Sequence, residues 1–217
     1  MFFSDFTSLV TLILGWLFGL LSPAIVDAIK NQRETKVIKK SLISELQDFR
    51  FRLMLNVYTI ESKYGELNHE FFEWAQSILV AHKGVNSSES LLNTIAPLLK
   101  LSKEEMATYA LLTKQQKISN SGLSLRKHSL SLLDTNVGAL AKFDPIFRSQ
   151  LLEVKTRIAF MNEIIDDTRY FYKLSFQENI SEKNYEISNS NMISQYKFYA
   201  LRARDIIKII GEILDKN

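Results

Sequence analysis

The sequence of 217 residues contains no cysteine, only three prolines and only seven glycines. The absence of cysteine excludes a disulfide framework, a thiolate metal site and a cysteine nucleophile. Folds rich in β-structure usually need many prolines and glycines at their turns, so the scarcity of both favours a helical chain. We therefore predict an all-α fold.

Catalytic and phosphate-binding signatures are also missing. The chain has no Walker A motif, no G-x-G-x-x-G and no G-x-S-x-G. Its three histidines, His69, His82 and His128, lie on separate segments, and none has a histidine partner four residues away. We interpret each of them as a surface or hydrogen-bonded core residue. We predict that the protein is not an enzyme, binds no metal and needs no cofactor.

Charge is absent from the run between Phe6 and Val26, which is 21 residues long. As a helix this run measures about 31 Å, close to the roughly 30 Å hydrocarbon core of a bilayer. The run is longer than the apolar part of most signal peptides, and no Lys or Arg precedes it. A retained anchor is therefore favoured over a cleaved leader. We predict a transmembrane anchor over residues 1–30.

Five cationic residues follow the charge-free run and set its predicted orientation. Cations there attract anionic lipid headgroups by about 1 kcal/mol each. The positive-inside rule predicts a single-pass inner-membrane protein with its amino terminus outside and its long domain in the cytoplasm. That domain is close to neutral, so we expect no strong nucleic-acid binding. The predicted headgroup contacts are Lys30, Arg33, Lys36, Lys39 and Lys40.

Small and polar residues gather on one side of the predicted anchor helix. At 100° per residue they fall within an arc of about 80° and include a G-x-x-x-G pattern. Such a face lets helix backbones pack closely in a membrane, although glycine is also common in membrane helices generally. A single span finds its partner helix only in another chain, so we predict a homo-oligomer. The predicted packing or pore-lining face is Ser8, Thr11, Gly15, Gly19 and Ser22.

Apolar periodicity after the anchor predicts a cytoplasmic bundle of five or six helices over residues 31–217. A long stalk helix over 31–64 continues the anchor, and Pro23 marks a candidate kink or restart between the two. Helix starts are predicted at Ser102, which opens a capping box, and at Asp144, which precedes a proline.

The second half of the chain contains two predicted interruptions. Four consecutive turn-forming residues place a break near 119–122, and the apolar pattern after it predicts a helix from Leu123 to Lys142. Residues 177–191 are polar and are interpreted as a loop. The nearby carboxylates Glu163, Asp166 and Asp167 are interpreted as ion-pair partners rather than metal ligands, with the candidate cations Arg157, Arg169 and Arg204.

The predicted outline is a short outside amino terminus, one span with a stripe of small residues, and a cytoplasmic helical bundle. It resembles the small membrane accessory proteins of bacterial RNA-targeting (type VI) CRISPR nucleases, and single-span effectors of other phage-defence systems. The resemblance implies a multimer that perturbs the inner membrane when a partner system is triggered. We therefore predict a self-associating, pore-like membrane effector in phage defence.

The alternative is a membrane-anchored adaptor that tethers a cytoplasmic partner protein. Three aromatic residues in succession, Tyr170, Phe171 and Tyr172, favour this alternative because three neighbours on a helix cannot all face one core. In that case the span only localises the bundle.

Overall fold

A computed structural model describes residues 2–82, 87–116 and 122–216, without the side chains of residues 2–9, 20, 21, 24, 87 and 116. Within these ranges the fold is all-α and contains no strand, which confirms the predicted class. The helices are α1 Phe2–Tyr64, α2 His69–Ala81, α3 Ser87–Leu98, α4 Lys103–Gln116, α5 Ser131–Thr135, α6 Pro145–Leu174 and α7 Glu182–Asp215. A 3₁₀ helix, Val137–Lys142, lies between α5 and α6.

Helix α1 joins the predicted anchor and the predicted stalk into one helix of 63 residues. Pro23 lies inside it, so the helix does not restart at that position. No helix among the described residues is both long and apolar enough to span a membrane. The transmembrane anchor predicted over residues 1–30 is therefore not supported by the structure.

Three long helices form the core of the bundle, and α7 packs against both α1 and α6. Each of the three helices buries one apolar face, whose residues recur with the helical period. Burial of each large apolar side chain contributes about 1.5–3 kcal/mol to the stability of the fold. The buried residues of α1 include Leu42, Leu46, Phe49, Leu53, Val57 and Ile60, those of α6 include Phe147, Leu151, Val154, Ile158, Met161 and Ile165, and those of α7 include Tyr196, Tyr199, Ala203, Ile206, Ile207, Ile210 and Ile213.

Helices α2, α3 and α4 form a smaller group beside the carboxyl-terminal half of α1. The aromatic patch of α2 belongs to this core, since Phe71 and Phe72 are buried and Trp74 packs against them. His69 ties α2 to the loop before α4, where its Nε2 lies 2.8 Å from the carbonyl oxygen of Leu101.

Both helix starts predicted in the sequence are confirmed by their hydrogen bonds. The Ser102 amide donates to Glu105 Oε2 at 2.7 Å, and the Glu105 amide donates to Ser102 Oγ at 3.2 Å. These bonds to Ser102 lower the pKa of the Glu105 carboxyl. Asp144 Oδ1 accepts from the amides of Ile146 and Phe147 at 2.9 and 3.2 Å. The capping rules therefore locate α4 and α6 correctly.

The helix predicted from Leu123 to Lys142 is wrong. Residues 122–130 form neither helix nor strand, and we call this segment the strap; α5 and the 3₁₀ helix lie between it and α6. Side chains of α6 and α7 bond the backbone of the strap, which local apolar spacing does not reveal. The predicted break near 119–122 lies, except for Gly122, outside the described residues.

The polar loop predicted over 177–191 is too long, because α7 begins at Glu182. The Asn184 amide donates to Ser181 Oγ at 3.3 Å, which caps the helix. Ser188 and Met192 are then buried one turn apart. Burial of one face compensates here for residue types that favour loops when considered alone.

We predict that Asp144→Ala lowers the free energy of unfolding by about 1 kcal/mol, because two amides at the start of α6 lose their acceptor. Chemical denaturation of the full chain in detergent measures the change. Glu178→Ala, an exposed loop substitution, is the matched control and is expected to leave the midpoint unchanged. Equal midpoints for Asp144→Ala and the wild type would contradict the capping role.

Candidate functional site

The amino-terminal arm, residues 2–30 of α1, extends beyond the bundle. Every side chain described between residues 10 and 30 is exposed, and the first fully buried residue of α1 is Leu42. Ten large apolar side chains of the arm are 38–74% exposed. Contiguous apolar surface of this kind marks an interface with protein or lipid. The ten are Val10, Leu12, Ile13, Leu14, Trp16, Leu17, Phe18, Ile25, Val26 and Ile29.

The predicted stripe of small residues lies on this arm. Thr11, Gly15, Gly19 and Ser22 are exposed, and the side chain of Ser8 lies outside the described part of the chain. A Cβ atom built on Gly15 or Gly19 meets no described atom within 4 Å. Open backbone at both glycines leaves room for another helix to approach. The packing role of the stripe stays a prediction.

The five predicted headgroup contacts form a cationic collar at the base of the arm. Lys30, Arg33, Lys36 and Lys40 are exposed, as headgroup contacts require. Lys39 is half-buried instead, with its ammonium 5.0 Å from the centre of the Phe147 ring. Lys39 therefore packs on the bundle as a cation–π partner.

One further cation joins the collar from a distant part of the sequence. Lys142 Nζ donates to Asn31 Oδ1 at 3.0 Å, across 111 positions of sequence. The contact is made by the 3₁₀ helix before α6, which packs on α1. Periodicity carries no signal for such a contact, so the sequence analysis missed Lys142.

A polar cluster lies inside the bundle where α1, the strap and α7 meet. Asn56 Nδ2 donates to the Tyr199 hydroxyl at 2.9 Å, and that hydroxyl lies 2.7 Å from His128 Nε2. Phe49 covers the imidazole edge-on at 5.4 Å. The hydroxyl donates to the ring when His128 Nε2 carries no proton. This arrangement confirms the interpretation of His128 as a hydrogen-bonded core residue.

Burial shifts the titration of this cluster. Desolvation, together with the charge of Arg52, lowers the pKa of His128 from 6.5 to about 4. Desolvation also raises the pKa of Tyr199. At neutral pH the imidazole is therefore uncharged and the phenol keeps its proton. The cluster holds three elements together.

The strap is held in place by hydrogen bonds from side chains of α6 and α7 to its backbone. Asn162 donates to the His128 carbonyl at 2.9 Å and accepts from the His128 amide at 2.8 Å. Tyr196 bonds both the amide and the carbonyl of Leu123, at 2.7 and 2.9 Å. Arg169 donates to the Leu125 carbonyl at 3.1 Å. These contacts satisfy part-buried backbone groups that would otherwise lack a partner within a helix or sheet.

A groove of about 810 Å³ lies between the outward faces of α6 and α7. Its lining includes Phe160, Phe198, Glu163 and Asp167.

The ion pairs predicted for Glu163 and Asp167 are wrong, since neither has an ion pair or hydrogen bond among the described residues. The candidate arginines bond elsewhere: Arg157 to Glu153, Arg169 to the Leu125 carbonyl and Arg204 to Glu61. Of the three carboxylates, Asp166 alone forms an ion pair among the described residues. Its partner is Lys127, whose Nζ lies 2.5 Å away, and not one of the candidate arginines.

Within the described ranges, no group of three or more His, Asp or Glu side chains is placed to hold a metal ion.

Comparison with known proteins adds no identification: no family model, no curated protein and no solved structure matches this chain. The function is therefore argued from the arm, the collar and the surface of the bundle.

We predict that the free energy of unfolding falls as pH decreases from about 6.5 to 4, partly through His128. The folded state keeps the ring neutral down to about pH 4, whereas the unfolded chain binds a proton near 6.5. The stabilisation is thus complete above 6.5 and is lost as pH falls toward the folded pKa. Denaturation at several pH values measures the slope.

His128→Gln removes this titration and is expected to flatten the acid slope. Tyr199→Phe gives a second test, because it deprives Asn56 and His128 of a shared partner and costs about 1–3 kcal/mol. Identical acid slopes for the wild type and His128→Gln would show that the ring does not carry the effect.

Proposed function

We propose that this protein attaches to a membrane through its amino-terminal arm and self-associates there, with the bundle standing off the lipid surface. The observation that carries the proposal is the exposed apolar surface of the arm directly beside the cationic collar. The proposal requires the arm to be embedded in lipid. It does not require a single helix to cross the bilayer alone.

The energy of apolar burial supports this proposal. Moving a large apolar side chain out of water contributes about 1.5–3 kcal/mol, and ten such side chains are exposed on the arm. Lipid tails cover all sides of a helix at once, whereas one neighbouring protein surface covers a single side. An arm whose large apolar side chains spread over most of its circumference is therefore better suited to lipid.

The collar supports lipid as the cover and gives the attachment a direction. Exposed cations beside an apolar helix attract anionic headgroups by about 1 kcal/mol each. Anionic lipids are concentrated in the cytoplasmic leaflet, so we assign the bundle to the cytoplasmic side of the inner membrane.

Self-association is proposed from the stripe. In lipid, apolar side chains gain nothing by contacting each other, so close backbone packing decides which helices associate. Gly15 and Gly19, one turn apart on open backbone, offer that packing to a second copy of the arm. We leave pore formation and a role in phage defence as expectations from the resemblance.

A second candidate function, the membrane-anchored adaptor, is supported by the surface near the end of α6. Tyr170 is 58% exposed and Tyr172 is 41% exposed, while Phe171 between them packs against the core. Phe176 is 67% exposed and contacts the Tyr172 ring edge-on at 4.9 Å. Exposed aromatic residues are typical of protein interfaces.

We predict that Trp16→Glu with Phe18→Glu abolishes flotation of the protein with vesicles of phosphatidylcholine and phosphatidylglycerol, because charge on the arm opposes insertion. Reconstitution by detergent removal followed by density-gradient flotation measures the bound fraction. Tyr170→Glu with Phe176→Glu, two exposed aromatics of the bundle, is the matched control and is expected to float like the wild type. Equal flotation of the arm variant would refute attachment through the arm.

We predict that Gly15→Leu with Gly19→Leu converts the oligomer to monomer in mild detergent, as measured by light scattering, without loss of flotation. Bulk added at these positions blocks close backbone contact and meets nothing within the chain. Ile13→Phe with Leu17→Phe adds bulk on the opposite side of the same helix and is expected to leave the oligomer intact. A wild-type protein that is already monomeric would contradict self-association and favour the adaptor.

A further inference from the structure

We infer that the groove between α6 and α7 docks a cationic amphipathic helix from a partner protein. The inference deepens the adaptor function by giving the chemistry of its partner, and one step of it rests on the proposed membrane attachment. It concerns a face of the bundle that neither the arm nor the buried polar cluster uses.

The floor and walls of the groove are apolar and open to solvent. Ile164 lies at its base and is almost fully buried. Phe160 is 58% exposed and Phe198 is 41% exposed, one on each helix. An incoming helix buries its apolar residues between these aromatic side chains of two neighbouring helices. Large aromatic anchors of this kind dominate the binding energy at interfaces.

The uncompensated charge of the groove has one sign. Of its charged side chains, Arg157 is bonded to Glu153 at 2.7 Å, and Arg202 lies 3.6 Å from Asp205. The same Arg202 guanidinium also lies 4.8 Å from the centre of the Phe198 ring. Glu163 and Asp167 are left without a cation among the described residues.

The two free carboxylates stand four positions apart on α6 and therefore lie one above the other beside the apolar floor. A partner that fills this groove must bring cations to them, because burial of a carboxylate without a cation is unfavourable. Charge complementarity thus selects a partner with Lys or Arg next to its apolar residues. It also rejects acidic segments.

The dimensions of the groove suit a helix. Its lining on α6 runs from Glu153 to Asp167, which corresponds to about 21 Å along the axis, or about four helical turns. A furrow between two helices accepts the ridge of a third in the same manner as other helix-in-groove interfaces.

A second copy of the chain does not fit this position, although its collar is cationic. Lys39 lies over Phe147, and His128 links Asn56 to Asn162, so α6 runs alongside α1 in the same direction. Glu163 therefore lies about 30 Å beyond the collar along α1. Copies attached side by side to one membrane hold their collars at the same distance from the lipid surface. The collar of one copy therefore does not reach the groove of its neighbour.

The test uses the full chain in phosphatidylcholine nanodiscs and two fluorescein-labelled synthetic helices of 15 residues. One helix has a leucine face flanked by lysines, and the other has glutamate at every lysine position. Fluorescence anisotropy, corrected with empty nanodiscs, is expected to show binding of the lysine helix and at least tenfold weaker binding of the glutamate helix. Binding is also expected to weaken at high salt.

Substitutions in the groove test whether the lysine helix binds there. Glu163→Gln with Asp167→Asn, and separately Phe198→Ala, are each expected to weaken the lysine helix at least tenfold. Glu182→Gln with Glu186→Gln, an exposed carboxylate pair at the same spacing on α7, is expected to bind like the wild type. Equal binding of both peptides, or unchanged binding in the groove variants, overturns the inference.

Light scattering and flotation separate this inference from the proposed function. The groove variants are expected to float and to self-associate like the wild type. If they become monomeric, the groove is a contact between copies, and partner docking is refuted. If the wild type fails to float while the lysine helix still binds in the groove, membrane attachment fails and docking survives.

Discussion

The continuity of helix α1 is the constraint on which the rest of the structure depends. One helix supplies the exposed arm and one wall of the core, so its position is fixed by the residues between Leu42 and Ile60, which are buried against the bundle. Most of the stability of a helix in a protein comes from tertiary packing of its apolar face. Propagation from the packed half stabilises the exposed half, and the arm therefore projects as a preformed helix. Its apolar surface then has to be covered by something outside the chain.

The strap is the second structural device, and it explains how α1 and α6 are held beside each other. Each of these helices packs on α7, and His128 of the strap contacts both: its Nε2 lies 3.5 Å from Asn56 Nδ2 of α1, and its carbonyl accepts from Asn162 of α6. Because the strap belongs to no helix or sheet, Asn162 and Tyr196 pair with its backbone directly. The neutral His128 ring, whose Nε2 lies 2.7 Å from the Tyr199 hydroxyl, adds a contact with α7. The strap thereby links the three long helices of the bundle.

Sequence reasoning found the features that are encoded locally. The core faces of α1 and α7 follow the helical period, and the capping box at Ser102 identifies its helix from four residues. The strap was missed because the spacing of its leucines fits a helix equally well, and its bonding partners lie 34 to 73 positions away. Lys142 was missed for the same reason. The ion pairs predicted for the free carboxylates of the groove were wrong because the three candidate arginines bond other acceptors in the fold.

The central claim is that the arm is covered by lipid, and the absence of cysteine from the chain makes it directly measurable. Single cysteines at Leu12, Trp16 and Val26, and at Lys36 as the reference, can be labelled with a membrane-impermeant maleimide after reconstitution into vesicles. The account predicts that the cysteine at position 36 reacts rapidly and that the three arm positions are protected until detergent is added. Rapid labelling of all four cysteines in intact vesicles would contradict it.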